Sequence, residues 1–312
     1  MSTTSKSPRK VARVALAVGQ EALPAYTHRF SPKVFTQAQR FACLVLKAFF
    51  KADYRGITAI LADTPSLCDA IGLKRIPHWT TLQKASRRLL SNASVQKVLD
   101  ATVVRARPRR RDKRRRRVKR SAVDSSGFEA HHTSHYFVKR RAKGRKDWQK
   151  TTYKTFPKLA LLCDCSNHLI LAAIPERGPG PDITHFELIV RQAHGRVRVQ
   201  TLYADAGYDA EWVHVAAREI LEVRTIIPPK IGRATDKPPS GHYRRLMSQR
   251  LHRTCYGQRW QVETTVSMIK RRLGSAVNAH SYWAQCRALM LKAVAHNILI
   301  LYAPTQPLTQ VA

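Results

Sequence analysis

The chain has 312 residues, with 56 Lys and Arg against 20 Asp and Glu and a formal charge of +36. Self-repulsion of that size is tolerated when a polyanion neutralises it, so nucleic acid is the expected partner, and no amphipathic basic helix or lipidation signal supports a membrane surface instead. The length allows one full core and a smaller appendage, and the six scattered cysteines exclude a disulfide scaffold and read as reduced thiols.

Residues 1–25 are basic with little apolar periodicity and are expected to form a flexible arm. Lys6, Arg9, Lys10 and Arg13 interrupt any signal-peptide-like run, so the protein is expected in the cytoplasm, and its charge leads to an expected association with the nucleoid. Residues 26–104 read as a helical DNA-binding domain. Apolar residues recur at helical spacing over Thr36–Phe50 and Tyr54–Leu61, and a third helix opens near Thr80 or Thr81 as cap. Lys84, Arg87 and Arg88 lie on that third helix, where a helix-turn-helix would meet phosphates or base edges; a plain helical bundle with a solvated basic face is the alternative. Residues 105–120 are almost continuous Lys and Arg, a linker that stays in solvent or lies along phosphates.

Residues 121–304 carry strands and helices in the order of an α/β domain. Ala122-Val123 leads into Asp124, Tyr136–Val138 is a short candidate strand, and Leu159–Cys163 with Leu169–Ala173 forms a hairpin around Ser166-Asn167. Asp182 reads as the cap of a helix through Phe186 and Ile189; a strand from Val197 to Ala204 then ends at Asp205. Asp209 opens another helix, Val223–Ile227 is a strand stopped by Pro228-Pro229, and a long helical region follows from His242 to Leu273, breaking near Thr254, with Gly274 as C-cap. Ala288–Tyr302 is apolar but interrupted by Lys292, His296 and Asn297, and reads as a buried helix rather than a membrane span.

Asp124 and Asp205 both end predicted strands, where side chains leave a sheet edge and can converge. Each alone is ambiguous, since Asp also ends strands as a turn former. On a helix, Tyr256, Arg259, Glu263 and Lys270 fall on one stripe about 60° wide at roughly 100° per residue, beside an apolar stripe of Val262, Val266, Ile269 and Leu273. That placement suits a cleft wall, but geometry alone leaves open an ordinary surface helix with a salt-bridge row.

Tyr256-x2-Arg259-x3-Glu263-x6-Lys270 resembles the Tyr-Arg-Glu-Lys signature of a large group of DDE transposases from bacterial insertion sequences. Val123-Asp124-Ser125-Ser126-Gly127 and Tyr203-Ala204-Asp205-Ala206-Gly207-Tyr208-Asp209 are similar to the strands carrying that group's first and second aspartates, and Tyr54-Arg55 with Pro77-His78-Trp79-Thr80-Thr81-Leu82 resembles its N-terminal part.

The resemblance implies an RNase H-like catalytic domain preceded by a small all-α helix-turn-helix-like domain. It implies Asp124, Asp205 and Glu263 as catalytic residues binding two Mg²⁺ ions, for which Mn²⁺ can substitute, with Tyr256, Arg259 and Lys270 contacting DNA near the cleaved end. The implied function is that of a transposase which binds the terminal inverted repeats of its element and cleaves and transfers DNA strands, as a homodimer on double-stranded DNA. An RNase H-like nuclease without strand transfer and a domesticated DNA-binding protein are the rivals. The short interval from Asp205 to Glu263 leaves no room for a large inserted β-domain.

The remaining acids and histidines read as structural: Asp164 on a strand, Asp182 and Asp209 as helix caps, and His131, His132 and His135 as a polar cluster without ligand geometry. Cys163 and Cys165 read as part of a buried strand, and Trp260 as a core aromatic rather than a stacking platform.

Overall fold

The computed structural model describes residues 4–107, 116–130, 155–230 and 237–301. The strand expected at Tyr136–Val138, the histidines 131, 132 and 135, and most of the basic linker lie outside the described residues. The chain divides into two compact units, one of residues 1–107 with 294–312 and one of residues 108–293.

The first unit is all-helical: α1 (Pro8–Ala22), α2 (Gln37–Phe49), α3 (Tyr54–Asp63), α4 (Pro65–Ala70), α5 (Trp79–Leu89) and α6 (Asn92–Ala106). The flexible arm expected over residues 1–25 is overturned by α1. Ser7 caps it by accepting the Lys10 N–H, Pro8 occupies its first turn, and Val11, Val14, Ala15 and Val18 are buried at i, i+3, i+4 and i+7. Interleaved Lys and Arg on the solvent side masked this stripe in the sequence. Gly19 lets α1 approach α2, because a Cβ there would sit 3.0 Å from the Ala38 Cα. Thr36 and Gln39 form a reciprocal capping box on α2. On α5 the cap is His78 rather than Thr80 or Thr81: its Nδ1 accepts the Thr80 N–H at 3.4 Å. Lys84, Arg87 and Arg88 are exposed on α5, while Leu82, Ala85 and Leu89 are buried.

The second unit is built on a five-stranded sheet of β2 (Ser121–Gly127), β3 (Phe156–Asp164), β4 (Ile170–Gly178), β6 (Thr201–Tyr203) and β7 (Arg224–Ile226), in the order β4-β3-β2-β6-β7. The β2, β3 and β4 strands form an antiparallel meander; β6 and β7 add parallel to β2. The strand expected from Val197 to Ala204 is split: β5 (Arg198–Val199) pairs with β1 (Arg117–Val118), and only β6 joins the large sheet.

Helix α7 (Phe186–Arg196) packs on β3 and β4; α8 (Glu211–Val215) continues into a π-helical turn, Ala216–Ile220. The long helical region is four pieces: α9 (His242–Arg250), two 3-10 turns (Leu251–Arg253 and Tyr256–Arg259) and α10 (Trp260–Leu273), which packs on β2 and β3. α10 buries Val262, Thr265, Met268, Ile269 and Leu273. Gly274 ends it at φ 88°, and Lys292 of α11 (Tyr282–Leu301) donates to the Gly274 carbonyl at 2.8 Å. From Val294 onward, α11 belongs to the first unit rather than to the domain expected to run to residue 304. Among the described residues no helix is long and apolar enough to cross a membrane.

Candidate active site

The β2 and β6 strands are paired only at Ser121 with Leu202 and Ala122 with Tyr203. Beyond that point the parallel strands part. Asp124 and Asp205 each stand two residues past the last paired position and so are equivalent in register; Asp205 follows the end of β6, whereas Asp124, expected to end its strand, lies in the middle of β2, which runs on to Gly127 against β3. Asp205 accepts the Gly207 N–H at 2.9 Å and thereby caps the 3-10 turn Ala206–Tyr208.

Helix α10 supplies the third wall. Arg259, at its start, reaches Asp124 Oδ2 with Nη1 at 3.4 Å and is also paired with Glu263 on the following turn. One guanidinium therefore joins the first strand's acid to the helix's acid. Arg259 and Asp124 are largely covered, at 16% and 19% side-chain exposure, whereas Glu263 is 42% exposed. Asp124 is thus the more enclosed of the two carboxylates. Farther along α10, Lys270 donates to Ser126 Oγ at 2.9 Å and its ammonium lies 5.2 Å from the Phe128 ring centre.

Burial raises the proton affinity of the Asp124 carboxyl to a pKa of about 6; the Ser125 N–H opposes the rise, Asp205 adds to it, Arg259 opposes it and Asp182 adds to it. The hydroxyl of Tyr256 is likewise raised by burial, against Arg259 and with contributions from Asp205, Asp124 and Glu263. Tyr256 thus lies within electrostatic reach of all three acids. It stands on the 3-10 turn and not on a continuous α-helix, because the backbone breaks at Thr254 and Cys255.

These carboxylates and the Tyr256 hydroxyl offer only hard oxygen donors, the set that suits a divalent cation of the Mg²⁺ type, and the mutual repulsion of Asp124 and Asp205 is of the kind a cation relieves. Among the described residues no three acids, histidines or cysteines are drawn together as closely as a metal ion would require. Instead, the Arg259 cation lies between Asp124 and Glu263.

Two acids read as helix caps do something else. Asp182 opens the 3-10 turn Asp182–His185, whose cap position is Pro181, and its carboxylate pairs with Lys158 and accepts from Ser125 Oγ. Asp209 forms a two-point pair with Arg244 of α9, at 2.9 and 2.7 Å, and accepts the Lys230 N–H. Asp164 is buried and accepts from Ser166 at the β3–β4 turn, and Cys163 and Cys165 are buried beside it. Trp260, expected in the core, is 63% exposed. Asp182 had no distinguishing signal, since Asp after a Pro-Gly-rich stretch is what an ordinary cap also looks like.

Residues 118–298 match the family model of the transposase DDE domain. No curated protein matches the chain.

Proposed function

From the premise that the chain belongs to the transposase DDE-domain family, we propose that it binds the terminal inverted repeats of an insertion sequence, cleaves DNA there and transfers the strand ends to target DNA. Family membership makes it a metal-dependent enzyme acting on DNA. The finer reading assigns Asp124, Asp205 and Glu263 as the acids of the reaction. The observation that carries it is the register equivalence of Asp124 and Asp205 beyond the point where β2 and β6 part.

The mixed sheet, an antiparallel meander extended by two parallel strands, supports an RNase H-like fold for this unit. Asp124, Asp205 and Glu263 would hold two Mg²⁺ or Mn²⁺ ions, which when bound activate the attacking oxygen and stabilise the leaving one. Arg259 and Lys270 offer cations on one helix to the phosphates flanking the scissile bond. Arg259 exchanges its carboxylate partners for phosphate as DNA enters, and Tyr256 orients the backbone by hydrogen bonding or stacking. Lys84, Arg87 and Arg88, exposed on α5, are assigned to reading the repeat. Two element ends must be joined in one event, which calls for a dimer on DNA.

The test incubates purified protein with Mg²⁺, a labelled element-end duplex and target plasmid. Joined products support transposition. Cleavage without joining assigns a nuclease, and binding without either assigns a domesticated DNA-binding protein.

A further inference from the structure

Behind the strand that carries Asp124 lies a second set of charges with no part in the chemistry proposed above. Side chains alternate along a strand, so Asp124 and Ser126 face α10, where their partners Arg259 and Lys270 lie, and Ser125 faces the other way. Lys158 on β3 pairs in register with Gly127, two residues from Ser125, and so shares that opposite face.

Lys158 is only 7% exposed. A buried ammonium is costly unless paired and hydrogen-bonded, and Lys158 is both: it donates to the Gly180 carbonyl at 2.7 Å and pairs with Asp182. Asp182 in turn accepts from Ser125 Oγ. The Ser125 N–H donates at 2.8 Å to Asp124 Oδ1. Lys158, Asp182, Ser125 and Asp124 thus form one continuous line through the sheet, from a buried cation to the first acid of the site.

We propose that Asp182, anchored by Lys158, is a positioning residue that acts through Ser125 to aim the Asp124 carboxylate into the crevice. The inference rests on the reading of Asp124 as a cation-binding acid. Ser125 is the only link in the line that can be cut without altering charge: Ser125→Ala removes the hydroxyl and leaves both acids and the lysine in place. Groups that orient a metal-binding residue typically cost 10- to 100-fold in affinity or activity when removed.

The test measures Mn²⁺ affinity of the full chain by electron paramagnetic resonance, and kcat and KM for cleavage of an element-end duplex, in wild type, Asp182→Asn, Ser125→Ala and the double variant. The expected result is Mn²⁺ affinity and kcat each lower by about 10-fold or more in both single variants. KM for DNA stays unchanged, and the double variant is no worse than either single, because one path is being cut. Additive losses overturn the proposal, as does an Asp182→Asn effect that Ser125→Ala does not reproduce, which would make Asp182 a distant charge. Variants that bind Mn²⁺ as wild type does, with unfolding midpoints lowered, also overturn it and leave Lys158 and Asp182 a clamp on the loop. A wild-type chain that binds Mn²⁺ without cleaving refutes the strand-transfer reading alone, and the affinity ratios still judge Asp182.

Discussion

Arg259 Nη1 lies 3.4 Å from Asp124 Oδ2, joining residues 135 positions apart in sequence, and the same guanidinium is paired with Glu263. A cation of the protein's own thus neutralises two acids that the proposed reaction needs for metal. On the proposed reading, Arg259 and a divalent ion compete for the same oxygens, and DNA phosphate would settle the competition by drawing the guanidinium away.

Arg259→Ala is therefore expected to act in opposite directions on two measurements. Affinity of the free protein for Mn²⁺ rises several-fold, because a competitor is gone, while cleavage of an element end falls by about 10- to 10²-fold through loss of a charged phosphate contact, worth roughly 1.5–3 kcal/mol. Titration calorimetry with Mn²⁺ and single-turnover cleavage check the two halves separately. Weaker Mn²⁺ binding in the variant would make Arg259 a support of the site and not a competitor.

Lys270 is tied to Ser126 and lies against Phe128. Its assignment to a phosphate implies that Lys270→Ala weakens binding of all duplexes about equally and lowers the slope of log K against log salt by about 1. Fluorescence anisotropy from 50 to 300 mM salt, roughly the range over which such slopes are read, measures it. A loss confined to the element's own repeat would make Lys270 a sequence reader.

His214 on α8 is fully buried, its Nδ1 2.7 Å from Thr225 Oγ1 and its Nε2 without a hydrogen-bond partner. Burial, helped by Arg218, lowers its pKa from 6.5 to about 4. The unfolded chain therefore takes up this proton first as pH falls. The folded state keeps the full benefit above about pH 6.5 and loses it progressively toward pH 4, by up to about 3 kcal/mol. Urea unfolding at pH 7 and pH 4.5 is expected to show a large loss in wild type and a visibly smaller one in His214→Gln. Equal losses would remove His214 as the source.

Gly241 stands at φ 96°, where a Cβ would also collide with the Glu211 carboxylate. That carboxylate caps α9 by accepting the Tyr243 and Arg244 N–H groups at 2.9 and 3.1 Å. Gly241→Ala should lower unfolding free energy by about 1–3 kcal/mol through strain and a displaced cap. An unchanged urea midpoint would show that α9 has another seat.

The hairpin of the meander and the last strand were legible because their short apolar runs are bounded by the turn residues Ser166-Asn167 and Pro228-Pro229, whereas the run from Val197 to Ala204 hid a split into two strands that pair with different partners. The stripe of Glu263 and Lys270 was legible as a helix face, although Tyr256 and Arg259 sit on a 3-10 turn that constant helical angles do not describe. Helix α1 was missed because Arg9, Lys10 and Arg13 crowd the start of the stripe of Val11, Val14, Ala15 and Val18, and only a known core assigns them to the far side. Asp182 was missed for a deeper reason. Its partners, Ser125 and Lys158, lie on two other strands, and a contact made only by folding leaves no local pattern.

The most direct test is anomalous diffraction from crystals of the protein grown with an element-end duplex and Mn²⁺. The expected result is manganese between Asp124 and Asp205, with carboxylate oxygens of both at about 2.1–2.2 Å, Glu263 completing the set and Arg259 moved onto phosphate. Manganese held elsewhere, or Arg259 still bridging Asp124 and Glu263 with DNA in place, would contradict the assignment of these three acids.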